Sequence, residues 1–165
     1  MQNLRGHSKA ISSLATGGKT AAIGSQDCNV RVWDITTGDC KWVLIGHAYI
    51  VLSVNMDERR AYTASGETIR IWNLQTGECT HIFKFAISSQ AAHVNVSSSY
   101  LQSFHMDGTL RIWNSISGKF NHQLRRTAVR TFQHDDQKII QESRGVYTVF
   151  RGRICVAKYE RSGSQ

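Results

Sequence analysis

Gly17-Gly-Lys-Thr20 ends like a phosphate-binding loop, in which backbone N–H groups and a lysine cradle a phosphate. Such a loop needs a glycine five residues before its Gly-Lys pair, and that position holds Ser13. It also needs a helix to follow, whereas Ala21-Ala-Ile-Gly24 leads into a strand. The segment reads as a turn between two strands. The four cysteines are Cys28, Cys40, Cys79 and Cys155, and no pair has CxxC spacing. Seven histidines are present, with no HxH or HExxH spacing among them, so no metal site is expected. Acidic residues fall mostly in turns, at Asp27, Asp57-Glu58, Asp107 and Asp135-Asp136, and none form a pair suited to acid–base work. No Ser/His/Asp set stands out. The expectation is a non-enzymatic chain without cofactor. The strongest binding candidates are Arg125, Arg126 and Arg130, whose forked guanidinium groups suit phosphate or carboxylate. Asn95-Val-Ser97 is a glycosylation sequon by spelling only.

The elements that must position these residues are all strands. Trp33, Trp72 and Trp113 stand 39 and 41 residues apart, in Asn29-Val-Arg-Val-Trp-Asp34, Thr68-Ile-Arg-Ile-Trp-Asn73 and Thr109-Leu-Arg-Ile-Trp-Asn114. Each run continues to a second match, Thr37-Gly38, Thr76-Gly77 or Ser117-Gly118, and Gly6-His7 recurs 40 residues on as Gly46-His47. β-Branched and aromatic residues crowd each run, which suits a strand buried on both faces. Turn formers precede each run at Ser25-Gln-Asp27, Ser65-Gly66 and Asp107-Gly108. Four strands per repeat are expected, the first set near 10–15, 20–25, 29–34 and 39–45. A fourth, eroded repeat ends Val146-Tyr-Thr-Val-Phe150, with Phe150 in the tryptophan slot. Arg31, Arg70 and Arg111 sit two residues before each tryptophan and recur with the repeat, so they read as structural. Cys40, Cys79 and Phe120 share one slot, which marks it as a buried apolar position rather than a metal-ligating one.

Composition is consistent with this. The chain has 165 residues, 41% hydrophobic and 19% charged, which is globular. Proline is absent, where about eight would be average. No apolar run is long enough to span a membrane as a helix. The start, Met1-Gln-Asn-Leu-Arg-Gly-His7, lacks an apolar signal stretch, so nucleus or cytoplasm and reduced thiols are expected. Net charge is +8, from 20 Lys plus Arg against 12 Asp plus Glu, which favours an acidic or phosphorylated peptide or a nucleic acid as partner.

A period near 40 with Gly-His and Trp-Asp marks resembles the WD-repeat (WD40) β-propeller family. The resemblance implies an all-β fold: a partial propeller of about four four-stranded antiparallel blades, the fourth degenerate. One unit over 1–165 is expected, with blades near 7–45, 47–84, 87–125 and 127–159. In that family a buried tetrad of His, Ser/Thr, Asp and Trp ties each blade. Carried over by slot, the first blade offers His7, Asp27 and Trp33, with Ile23 in the Ser/Thr slot. The second offers His47, Thr63 and Trp72, its turn lacking Asp, and the third offers Ser103, Asp107 and Trp113, its Gly-His slot lost near Phe85-Ala86. Incomplete tetrads imply loosened blades, since a buried polar group without a partner costs on the order of 1–3 kcal/mol.

Asn3-Leu-Arg-Gly-His7, Tyr62-Thr-Ala-Ser65 with Thr68-Ile-Arg-Ile-Trp72, and Ile154-Cys-Val-Ala157 more narrowly resemble F-box/WD-repeat substrate receptors of SCF ubiquitin ligases, of the cell-division-control type. That resemblance implies a non-enzymatic scaffold taking part in ubiquitin-dependent degradation, with ligase components as partners. The departures are specific. The chain begins almost at a Gly-His pair, where the family has an F-box segment before its propeller. Such receptors read phosphorylated segments with arginines, and the matching positions here hold Ser12, Leu52, Gln26 and Met106. The alternatives are a basic WD-repeat subunit of an RNA-processing assembly, or a piece without retained function. Seven blades need roughly 280 residues. The chain is therefore expected to be part of a longer propeller, to complete a ring with another chain, or to close as a small ring of four.

Overall fold

The computed structural model describes residues 3–85, 90–96, 100–125, 131–134, 139–143, 146–151 and 154–160, with side chains described in full as far as Asn121. It consists of four antiparallel sheets, each of four strands taken in chain order. The first holds β1 (Ile11–Gly17), β2 (Thr20–Ser25), β3 (Val30–Asp34) and β4 (Cys40–Leu44). The second holds β5 (Ser53–Met56), β6 (Arg60–Ser65), β7 (Thr68–Asn73) and β8 (Cys79–Lys84). The third holds β9 (Ala91–Val96), β10 (Tyr100–His105), β11 (Thr109–Asn114) and β12 (Phe120–Arg125). The fourth holds β13 (Thr131–His134), β14 (Ile139–Ser143), β15 (Val146–Arg151) and β16 (Ile154–Glu160). No helix occurs among the described residues.

The repeated turn after each third strand has a simple cause. Asp34 Oδ1 accepts from the N–H of Thr36 at 2.8 Å, Asn73 Oδ1 from Gln75 at 2.7 Å, and Asn114 Oδ1 from Ser117 at 2.7 Å. Short acidic or amide side chains make such turns by bonding the backbone ahead of them. The turn then needs a left-handed residue, and Gly38, Gly77 and Gly118 supply it at φ 83°, 75° and 66°. Each third-strand tryptophan sits beside a bulge, pairing Trp33 with Cys40, Trp72 with Cys79 and Trp113 with Phe120. The fourth sheet repeats that register, with its bulge between Val149 and Phe150 and Phe150 opposite Cys155. Phe150 therefore occupies the tryptophan slot, and Cys155 joins the slot of Cys40, Cys79 and Phe120.

The core lies between sheets, not within them. Ala22, Val30, Val32 and Leu44 of the first sheet cluster with Val54, Ala61 and Trp72 of the second, and with Val51 beside them. Tyr62, Ala64, Ile69 and Ile71 of the second cluster with Ala91, Val94, Leu101 and Trp113 of the third. One flank of the first sheet thus covers the second's tryptophan flank, and one flank of the second covers the third's, as stacked repeats must. β1 lies against β5 and β5 against β9, so the first strands run side by side. Ser13 Oγ accepts the N–H of Val54 at 2.9 Å, and Ser53 Oγ that of Val94 at 3.2 Å. The same slots in β1 carry Ile11 and Leu14, which are exposed, whereas Val51, Val54, Ala91 and Val94 are buried.

Candidate binding face

In each of the first three sheets the second and third strands are joined by a turn that meets the segment entering the same sheet. These turns form one face, and buried polar chains hold it. In the second sheet Trp72 Nε1 donates to Thr63 Oγ1 at 2.8 Å, and His47 Nε2 lies 2.6 Å from that oxygen. His47 Nδ1 reaches Thr68 Oγ1 at 3.1 Å, and Thr68 Oγ1 donates to Ser65 O at 3.2 Å. Thr68 thus takes the place of the missing Asp. The Arg70 carbonyl is a second, longer acceptor for the Thr63 hydroxyl at 3.4 Å. With Thr68 donating to the backbone, the set runs one way, Trp72 to Thr63, Thr63 to His47 and His47 to Thr68. It requires neutral imidazole, and burial, aided by the Arg70 charge, pushes the His47 pKa down to about 3.

The third sheet rebuilds its set differently. Trp113 Nε1 donates to Ser103 Oγ at 3.1 Å, and His105 Nε2 lies 2.8 Å from the same oxygen. Arg111 donates to His105 Nδ1 at 2.9 Å and stands 3.8 Å from Asp107. His105 comes from the strand end, not from a Gly-His pair, and Phe85 packs edge-on against it at 4.5 Å. In the first sheet His7 Nδ1 is 2.8 Å from Asp27 and Nε2 is 3.1 Å from Ile23 O. Both partners only accept, so the two bonds coexist only when both ring nitrogens carry hydrogen. Trp33 Nε1 has no partner, because Ile23 offers no side-chain acceptor. Burial raises the Asp27 pKa, but bonds from His7 and from the N–H groups of Ser8 and Asn29 outweigh it and hold the carboxyl below its usual range.

The recurring arginines explain the glycine of Gly-His. Arg70 donates to Gly46 O at 2.8 Å, and a Cβ on Gly46 would meet its guanidinium at 2.9 Å. A Cβ on Gly6 would meet Arg31 at 2.8 Å. Arg31 and Arg70 also reach Cys40 and Cys79 sulfur at 3.7 Å, while Arg111 lies over the Phe85 ring at 5.0 Å.

On the face held by these chains lies an open depression of about 480 Å³, lined by Lys9, Gln26, Cys28, Ala48, Tyr49, Ile50, Leu52, Gly66, Gln90 and Met106. Three sheets contribute to it. Tyr49 is fixed from both sides: Ser65 Oγ donates to its carbonyl at 2.6 Å, and its ring lies on Gly66, where a Cβ would stand 2.6 Å from it. Cys28, with φ 68°, occupies the left-handed turn position that Gly66 and Gly108 fill in the next two sheets. Tyr49, Ile50 and Met106 are 55%, 42% and 64% exposed. Lys9 is the one charged residue among the lining.

Leu52, Gln26 and Met106, singled out in the sequence as positions lacking arginine, all line the depression. Arg125 ends β12 with its side chain outside the described residues, and Arg126 and Arg130 also lie outside them. The sequence reading missed Tyr49 and Ile50 as site residues. Their signal was two adjacent large apolar residues in a segment two to three residues after Gly-His, where a turn is otherwise polar. Among the described residues no group of three His, Cys, Asp or Glu could hold a metal. The chain's Gly17-Gly-Lys-Thr20 is the β1–β2 turn and meets no helix.

With that geometry in view, the relatives are consistent in kind. Residues 1–34 and 38–73 match the family model WD40 (WD domain, G-beta repeat). The chain carries WD repeats over those residues, folded as β-propeller blades. It is 27% identical over 175 residues to Cell division control protein 4 of Saccharomyces cerevisiae, covering 91% of this chain and 22% of that protein. It is 27% identical over 149 residues to Autophagy-related protein 16 of Arabidopsis thaliana, covering 83% of this chain and 29% of that one. The chain therefore spans less than a third of the length of these two relatives. Among solved structures the computationally designed Ika4 protein superposes with a TM-score of 0.79 at 23% identity, over 90% of this chain and 95% of that one, which shows the fold alone.

Proposed function

We propose that this WD-repeat chain is the target-binding part of a substrate-recognition subunit of an SCF-type ubiquitin ligase, holding a protein segment in the depression between its first three blades. WD40 repeats are protein-interaction scaffolds, and the coarse reading rests on that. The finer reading draws support from similarity to Cell division control protein 4 of two yeasts, at 27% identity over 175 residues and 44% over 50. The observation that carries it is the cleft of three blades' turns, with large apolar side chains held open to solvent. Clefts of this size and lining are the usual form of a recognition site. Proximity labelling in the source cells tests it. The labelled set should contain proteins whose half-lives lengthen when the chain is depleted, and Ile50→Glu should remove them from the set. Labelled proteins whose turnover does not depend on the chain would overturn the ligase reading.

A second reading, a subunit of an RNA-processing assembly, is favoured by the net charge of +8. It predicts RNA binding that weakens steeply with salt. The described lining of the depression, with a single lysine, does not supply the several cations such binding uses.

A further inference from the structure

From the lining of the same depression we infer the chemistry of its occupant: an extended, unphosphorylated peptide segment that inserts large apolar side chains and sets one carboxylate opposite Lys9. The inference rests on the depression being the docking site.

Three observations carry it. The first is the charge of the lining. Among the ten described residues of the lining, Lys9 alone is charged, Gln26 and Gln90 offer neutral amides, and Tyr49, Ile50, Leu52 and Met106 form the apolar remainder. A phosphate dianion calls for several forked or cationic donors. One lysine balances one carboxylate. The second is that backbone groups at the rim are already in use. Gln26 N–H donates to Ala10 O, Val51 N–H to Ser25 O, Leu52 N–H to Ala64 O, Ala91 N–H to Gly66 O and Met106 N–H to Gln90 O, at 2.8 to 3.2 Å. Those N–H groups are not open to a strand added at the rim. Side-chain insertion remains, and it needs apolar anchors. The third is rigidity. The Ser65 hydroxyl ties the Tyr49 main-chain carbonyl and the Gly66 backbone backs one face of its ring, so the ring is supported before the partner arrives. A pre-ordered aromatic loses little entropy on binding. Met106, by contrast, is 64% exposed on a turn and can adjust to the shape of an anchor.

The test is selection of a random peptide library on the immobilised 165-residue chain, followed by direct binding of the selected peptide. The selected sequences should share large apolar residues near one Asp or Glu. Met106→Glu and Ile50→Glu, both at exposed turn positions, should each weaken that peptide by about tenfold or more. Lys9→Gln should weaken it less, and only while the peptide keeps its acid. Replacing the acid by phosphoserine should not tighten binding. Tighter binding of the phosphopeptide, selection of basic or all-polar sequences, or no selection at all would each overturn the inference. So would unchanged binding in both glutamate variants, or a concentration-dependent dimer that the variants abolish. The docking and scaffold readings fail differently. Should the variants leave the chain's cellular partners unchanged, the chemistry assigned to this depression falls while the scaffold stands. Should the chain label no partner at all, the scaffold reading falls.

Discussion

The first and second blades occupy the same repeat slots, yet the polar chain beneath their turns is closed in one and broken in the other. In the second, the Thr63 hydroxyl joins an indole to an imidazole, and every member has a partner. In the first, Ile23 replaces that hydroxyl, His7 turns to a backbone carbonyl, and the Trp33 indole is buried with no acceptor. The shape of the sheet survives either way. Ala21 pairs with Trp33 and Ala61 with Trp72 in the same register. What differs is how much each blade loses when a single atom is changed. Backbone pairing and interblade apolar contact set the fold, and the polar chain adjusts stability on top of it.

The largest expected effect comes from breaking the intact chain. Thr63→Val keeps the shape of the side chain and leaves both Trp72 Nε1 and His47 Nε2 unpaired in the interior. Urea unfolding of the 165-residue chain should show a loss of about 3 kcal/mol. The matching change in the first blade, Ile23→Val, removes only a methylene and should lose about 1 kcal/mol. Equal losses in the two variants would mean that the hydroxyl chain contributes nothing beyond packing.

Acid should separate the same two blades. His47 is held neutral, with its pKa pushed down to about 3, first by burial and then by Arg70. In the unfolded chain it takes a proton near pH 6.5. Between those values the unfolded state binds a proton that the folded state refuses, so stability falls as pH falls. At pH 5 the loss should be about 2 kcal/mol. Burial lowers the His93 pKa as well, which adds to the slope in the same direction. Asp27 in the first blade acts lower. Its carboxyl is held below the usual range, so its contribution is present above about pH 4 and goes only below that. Stability measured from pH 7 to 5 should therefore fall for the parent chain and fall less for His47→Gln. A slope unchanged in that variant would place the acid sensitivity elsewhere.

How legible this was depends on whether a feature is periodic. The three tryptophans, their turn Asp or Asn and the left-handed glycines repeat at a fixed spacing, and slot reading located them. The shared slot of Cys40, Cys79 and Phe120 was read as buried on the same ground, and there the structure differs: Phe120 is 51% exposed and the two cysteines are only partly buried. Thr68 and His105 were not legible, because each repair comes from a position outside the family's slot. Thr68 starts β7, and His105 ends β10 where the first two blades carry Ser25 and Ser65. Only proximity in space shows that they complete a chain, so Trp72 and Trp113 have acceptors while Trp33 has none. The site followed the same rule. Leu52, Gln26 and Met106 were noticed as arginines that are missing. Their common surface is visible only when turns of three blades meet. Arg125, Arg126 and Arg130 rested on their clustering at the entry to the fourth repeat, where the described side chains do not reach.

The third blade offers a smaller gain. Gln102 sits in the slot of Ala22 and Tyr62, is 1% exposed, and among the described residues has no partner for either amide atom. Its neighbours on that flank, Leu110 and Ile112, are apolar. Gln102→Leu should raise the unfolding free energy by about 1–2 kcal/mol, since it removes two buried polar atoms and keeps most of the volume. A loss would mean that the amide does find partners in solution.

The finest comparison is to build the second blade's chain in the first. Ile23→Thr places a hydroxyl opposite the Trp33 indole, as Thr63 stands opposite Trp72. Two effects oppose each other. A buried N–H regains an acceptor, worth about 1–3 kcal/mol, while the loss of the larger apolar side chain costs about 1 kcal/mol. The hydroxyl's own hydrogen needs a place, and the Arg31 carbonyl matches the Arg70 carbonyl that Thr63 meets at 3.4 Å. The net expectation is a small gain, about 0.5–1 kcal/mol, in the same unfolding experiment. Ile23→Val supplies the control, with the same loss of bulk and no hydroxyl. If Thr is no more stable than Val at this position, the Trp33 indole is not the limiting defect of the first blade, and its difference from the second lies in the His7 branch instead.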